Sequence, residues 1–169
     1  MRIIIKHNYF SRINGGFTLK KLLNVCAVVL AAVAVLSFAG CSARTPVTAD
    51  DFKQKAEAAG FTVTESSAPN TDVDKYLNAV KSESGTEMMF VAFKTDASAS
   101  ETYTKIKTNI SEGTTAAAKN VDSSSYNKYT LVNGEIHHSV VRMGPTLIYA
   151  KTTSAYQNQV DDFFKSIKY

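Results

Sequence analysis

Few residues in this chain have the type and spacing to do chemistry: one cysteine behind two small residues, a histidine pair and two aspartate pairs. Cys41 follows Ala39-Gly40 at the end of an apolar run that starts at Leu22, behind Lys20-Lys21. A positive pair, an apolar stretch and small residues before a cut are the parts of a secretory signal, which makes this thiol the special one. His137 and His138 are adjacent, and neighbouring strand residues point to opposite faces, so the two cannot share a metal ion without distortion. No His/Cys/Asp/Glu cluster has ligand spacing, so the pair reads as sheet surface and no metal is assigned. Asp50-Asp51 suits a helix N-terminus, and Asp161-Asp162 suits a solvated helical face. Neither a Gly-x-Ser-x-Gly elbow nor a glycine-rich phosphate loop is present, so the reading assigns no catalytic residue and no cofactor.

Aromatic side chains remain. Tyrosine presents a large rigid area with a polar handle, useful against a peptide or a sugar. Tyr126, Tyr129 and Tyr149, with His138, form the candidate binding surface; Tyr156 and Tyr169 are further tyrosines near the C-terminal end. The alternative is that these rings pack between a sheet and the last helix.

The address is more specific. The leader at residues 19–40 resembles a bacterial lipoprotein signal, which implies cleavage between Gly40 and Cys41 and a diacylglyceryl thioether, with palmitate-type chains, on Cys41. Phe38 stands where that signal usually has leucine, with Leu36 two places further out. The competing reading of the 18 residues from Leu22 to Ala39 is a membrane-spanning helix. Either anchor leaves the rest of the chain on the extracytoplasmic face of the cell membrane. Residues 1–18 add Arg2, Lys6, His7, Arg12 and Gly15-Gly16 before a complete positive region. They read as a mis-set start: Gly15-Gly16 is encodable as a ribosome-binding sequence, and TTG is both a leucine codon and a start codon at position 19. A peptide from residues 8–17 in the expressed precursor would contradict this.

Processing changes the composition. Five of the 19 Lys/Arg and none of the 15 Asp/Glu lie in residues 1–40, which leaves 14 bases against 15 acids and a formal charge of −1. The basic footprint of a nucleic-acid binder is therefore absent from the mature chain. Cys26 leaves with the leader and Cys41 carries lipid, so the domain is expected to hold together by packing alone.

The elements that must position these residues follow in order. Residues 41–47 are the lipidated cysteine and a tether reaching roughly 20 Å at most, and residues 48–169 form one domain. Thr48 caps a helix with Asp50-Asp51 in its first turn, Val47 staples against Phe52, and Gly60 ends it. Residues 61–65 alternate as a strand. Val73, Tyr76, Leu77 and Val80 have helical spacing and predict a short helix. Residues 87–93 are apolar on both alternations, as a strand buried on two sides requires. Ser98 and Glu101 read as a capping box for a helix whose face is Ala99, Tyr103, Ile106 and Ile110. Residues 111–127, poor in large apolar groups, read as a mobile loop, with a lid over a pocket as the functional alternative. Asn133-Gly134 predicts a type I′ hairpin in which Leu131 pairs with Ile136 and Tyr129 with His138. A strand at 146–151 completes a meander after Gly144-Pro145. Ser154 to Gln157 caps a last helix with Tyr156, Val160, Phe163, Phe164 and Ile167 as its apolar stripe.

This gives an α+β fold: a mainly antiparallel sheet of about four to five strands with helices packed on it, and a C-terminal β-meander followed by a helix. From Thr48 to Tyr169 the segments "TADDFKQKAEAAGFTVTE", "YNKYTLVNGEIHHSVVRMGPTLIYAKT" and "YQNQVDDFFKSIKY" resemble small bacterial lipoproteins in layout. That group brings no catalytic residues to transfer. The expected role is non-catalytic binding or envelope interaction, with the membrane as one partner through Cys41 and a protein, peptide or glycan near the bilayer as the other. A hydrolytic enzyme with an unrecognised site and a purely structural envelope lipoprotein are the alternatives.

Overall fold

A computed structural model describes residues 44–169. The cleavage site, Cys41, the leader and the extension at residues 1–18 lie outside these residues. Local signals set the first helix, α1 (Ala49–Ala58): Thr48 Oγ1 accepts the Asp51 amide at 3.1 Å, and Val47 and Phe52 meet in one apolar cluster. It ends in a Schellman motif, with Gly60 N–H donating to Glu57 O and Phe61 N–H to Ala56 O, and Gly60 at φ +85°.

Seven strands follow: β1 (Thr62–Glu65), β2 (Val73–Lys81), β3 (Thr86–Phe93), β4 (Ala118–Asp122), β5 (Tyr126–Asn133), β6 (Ile136–Met143) and β7 (Thr146–Thr153). They form one antiparallel sheet in the order β1-β2-β3-β7-β6-β5-β4. The α+β class stands, with seven strands rather than four to five. The helix α2 (Asp96–Ser111) joins β3 to β4, and α3 (Gln157–Ser166) follows a 3-10 turn at Ser154–Tyr156. The meander β5-β6-β7 and the closing helix are as expected.

Helices cover both faces of the sheet. On one face α1 and α3 pack over Leu77, Phe90, Val141 and Ile148; Phe52 stacks on Phe90 at 5.0 Å and meets Phe163 edge-on at 5.6 Å. On the other face α2 lays Ala99, Tyr103, Ile106 and Ile110 over Val91, Leu131, Val140 and Leu147. Full burial of a side chain such as Phe52 contributes about 2 kcal/mol each, so these rings anchor the layers.

Five local expectations are corrected. Residues 73–80 are strand, not helix: a bulge between Val73 and Lys75 shifts the β2–β3 register. An extra residue in one strand turns Val73 to the face of Tyr76, which imitates helical spacing. Residues 111–127 contain β4, an edge strand exposed at all five positions, whose order comes from pairing with β5 and not from burial. The 133–136 hairpin pairs Asn133 with Ile136, Leu131 with His138 and Tyr129 with Val140. Gly134 alone takes positive φ there, at +60°, as a turn with glycine first of the two central residues requires. The α2 cap is Thr95, whose Oγ1 accepts the Ser98 amide, three residues before the predicted box, and no side chain caps the Ser154 turn.

Arg44, the first described residue, is already docked, ahead of the predicted cap. Its guanidinium lies 4.5 Å over the Tyr126 ring, Val47 N–H donates to the Tyr169 hydroxyl at 3.1 Å, and that hydroxyl also meets Thr146 Oγ1. Pro46 lies against Gly144, at φ +52°; a Cβ there would stand 3.2 Å from the proline ring.

Candidate functional site

The outer strands β4 and β5 face the polar side of α3 across an opening lined by all three elements. The result is a groove of about 390 Å³, within the size range of small-ligand sites. Its sheet wall is Lys119 and Val121 of β4 with Lys128, Thr130 and Val132 of β5, where Lys119 pairs with Thr130 and Val121 with Lys128. Alternation puts these side chains on one face, because Tyr129 and Leu131 are buried on the other. The opposite wall is Gln157, Asp161 and Lys165, spaced by four along the polar side of α3, whose apolar side is Val160, Phe163 and Phe164.

The electrostatics of the groove are cationic with one exception. Lys128 Nζ lies 5.2 Å from the Phe164 ring, and partial burial pulls the lysine below its ordinary value, opposed by Asp161 and helped by Arg44 and Lys165. Lys165 pairs with Asp162 at 2.8 Å on the exposed flank of α3. Among the described residues, neither Lys119 nor Lys128 has a carboxylate within ion-pair distance.

One strand further in, the sheet rows that start in the groove run into buried polar groups. Val132 pairs with His137 and Thr130 with Ser139, both fully buried, and neither the imidazole nitrogens nor the hydroxyl has a hydrogen-bond partner among the described residues. The His137 row continues through Thr152 to Thr86 and Ser84, three buried hydroxyls linked at 2.7 Å each. His137 is therefore core and not sheet surface. Burial lowers its proton affinity, Asp161 raises it, and Lys128 and Lys119 lower it again.

The tyrosine surface expected from sequence is divided between the two faces. Tyr129 is buried under α2 with Lys107 Nζ 5.3 Å from its ring, while Tyr126 lies on the opposite face beneath Arg44. His138 and Tyr149 are brought together, half-buried, with Nδ1 and the phenol oxygen 2.8 Å apart and the rings nearly parallel. Tyr156 is exposed and Tyr169 is buried. Gly40 and Cys41 lie outside the described residues. Sequence reasoning did not find the groove, although the Lys128-Thr130-Val132 alternation and the 157/161/165 spacing were both readable. What it lacked was the strand order that brings β4 and β5 opposite α3.

Among the described residues no group of three or more His, Cys, Asp or Glu could hold a metal ion, and no helix is long and apolar enough to cross a membrane. No protein-family profile matches the chain, and no curated protein matches it in sequence. Among solved structures it is similar to a GTP binding regulator from Thermotoga maritima, at 16% identity over 72% of this chain and 84% of that one, with a TM-score of 0.44. At that level the likeness carries no argument about function.

Proposed function

We propose that this protein is a lipid-anchored, extracytoplasmic binding protein, held to the membrane through Cys41, with the groove between β4, β5 and α3 as its contact surface. The observation that carries the binding role is the groove itself: an open sheet corner whose walls mix aliphatic groups with two lysines lacking a carboxylate partner. Thr130, Gln157 and Asp161 supply polar contacts beside them, a lining suited to recognition. The leader and the cysteine behind Ala39-Gly40 support the anchor, because two or more acyl chains on one residue hold a protein stably at a bilayer. Chain geometry keeps Cys41 within about 11 Å of Arg44, so the domain works beside the membrane.

The anchor is tested by expressing the full chain and its Cys41→Ala variant and separating membranes from soluble material. Wild type should label with palmitate and sediment with membranes, and the variant should do neither. Unlabelled wild type in the soluble fraction refutes the anchor.

A further inference from the structure

The groove has a direction. Its register rows, read along β5, place Val132 at the end that Ala117 lines, Thr130 with Lys119 in the middle, and Lys128 with Val121 at the other end; α3 runs alongside, from the Ser154 amide on Glu135 O at the hairpin to Phe164 beside Lys128. Lys128 to Val132 spans roughly 13 Å of strand. One end is neutral and aliphatic. The other holds the Lys128 ammonium group over the Phe164 ring, with Asp161, Arg44 and Lys165 all close enough to act on it.

That polarity selects a ligand class. A cationic guest would meet two lysines without carboxylate partners, and a neutral one would leave Lys128 half-buried and unpaired. A fully polar anion would leave Ala117, Val121 and Val132 covered without gain. An anion with an apolar tail satisfies both ends: its charge pairs with Lys128 and Lys119, and its chain displaces water from the aliphatic wall. Asp161 is the one repulsive group in the lining, midway along α3 and close enough to act on Lys128.

We propose that the groove binds a free single-chain amphipathic carboxylate, with its head at Lys128 and its tail running toward Ala117 and Val132. The proposal rests on the reading of this groove as the binding surface, but it does not depend on the lipid anchor. Lys128 and Lys119 hold the carboxylate, Thr130 donates a further hydrogen bond, and Asp161 limits affinity by opposing the charge.

The test uses the full chain in whole lysates of expressing cells, separated after labelling into membrane and soluble fractions, a twelve-carbon carboxylate bearing a photoreactive diazirine, and mapping of the crosslinked peptides by mass spectrometry. Crosslinks should concentrate on residues 117–132 and 157–165 and be competed by dodecanoate but not by dodecylamine. Lys128→Gln should cut labelling about tenfold, the loss expected of one charge-assisted contact, whereas Asp161→Asn should raise it. These opposite signs separate lost binding from lost folding, since unfolding lowers both. Labelling spread over the surface, equal competition by the amine, or a fall in Asp161→Asn overturns the ligand class. Competition by phosphatidylglycerol vesicles but not by dodecanoate also overturns it, in favour of a lipid headgroup. Crosslinks confined to other peptides refute the groove as the binding surface. Loss of membrane sedimentation with groove labelling intact refutes the anchor alone.

Discussion

His137 shows what burial does to a single residue. Its ring is fully buried, both nitrogens lack a partner among the described residues, and Thr152 of β7, Lys128 of β5 and Asp161 of α3 are its polar surroundings. Proton affinity in the folded state is therefore below the ordinary value of 6.5, mainly through desolvation. His138 shifts the same way through burial, with Lys151 and His137 adding to it. The unfolded chain then binds more protons than the folded one, so stability is whole above about pH 6.5 and falls as pH drops below it. Thermal melts at pH 8 and pH 5 should show this loss for wild type, a smaller one for His137→Leu, and the smallest for His137→Leu with His138→Gln. At pH 8 His137→Leu should match or exceed wild type, because an apolar side chain removes two buried groups without partners. An undiminished acid sensitivity in the double variant would exclude the histidines as its source.

At the scale of elements, α3 closes in a Schellman motif, with Lys168 N–H donating to Lys165 O and Tyr169 N–H to Phe164 O at 2.8 Å. The residue that takes the left-handed conformation there is Lys168, at φ +65°, the sole non-glycine with positive φ among the described residues. Left-handed backbone costs a side-chain-bearing residue roughly 1–2 kcal/mol, and glycine returns part of this as unfolded-state entropy. Lys168→Gly should accordingly raise stability by about 0.5–1 kcal/mol, read as a higher denaturant midpoint with an unchanged slope; a lower midpoint would contradict the cap. The first helix, the two-sided β3 and the β5-β6-β7 meander were legible because their signals are local: a cap, a continuous apolar run, and a glycine that marks the hairpin although the turn is centred on Gly134-Glu135 and not on Asn133-Gly134. β2 was misread because its bulge imitates the helical period. β4 was missed because an exposed edge strand carries no alternation to read. The groove was hidden for a different reason, since it brings β4 and β5 opposite α3, and that follows from strand order rather than from any short segment.

For the molecule as a whole, the Tyr169 hydroxyl joins three separate pieces of chain: it accepts the Val47 amide hydrogen and shares a hydrogen bond with Thr146 on β7. Burial raises its proton affinity, so it is neutral throughout the working range. Tyr169→Phe leaves the buried Val47 N–H unpaired and should cost about 1–3 kcal/mol. Hydrogen exchange at Val47 should quicken with it, while α2 on the far face keeps its protection. Equal loss of protection across both faces would mean that the clasp is not local.

Residues 44–47 also decide where tension enters the domain. A pull applied to the chain ahead of Arg44 falls first on the guanidinium over Tyr126, then on Pro46 against Gly144, then on the Val47–Tyr169 hydrogen bond. All three contacts precede α1, so the segment works as a mechanical fuse. Under load it would peel away one contact at a time, passing force into Tyr126 of β5 and Thr146 of β7 and freeing four residues before α1 unravels.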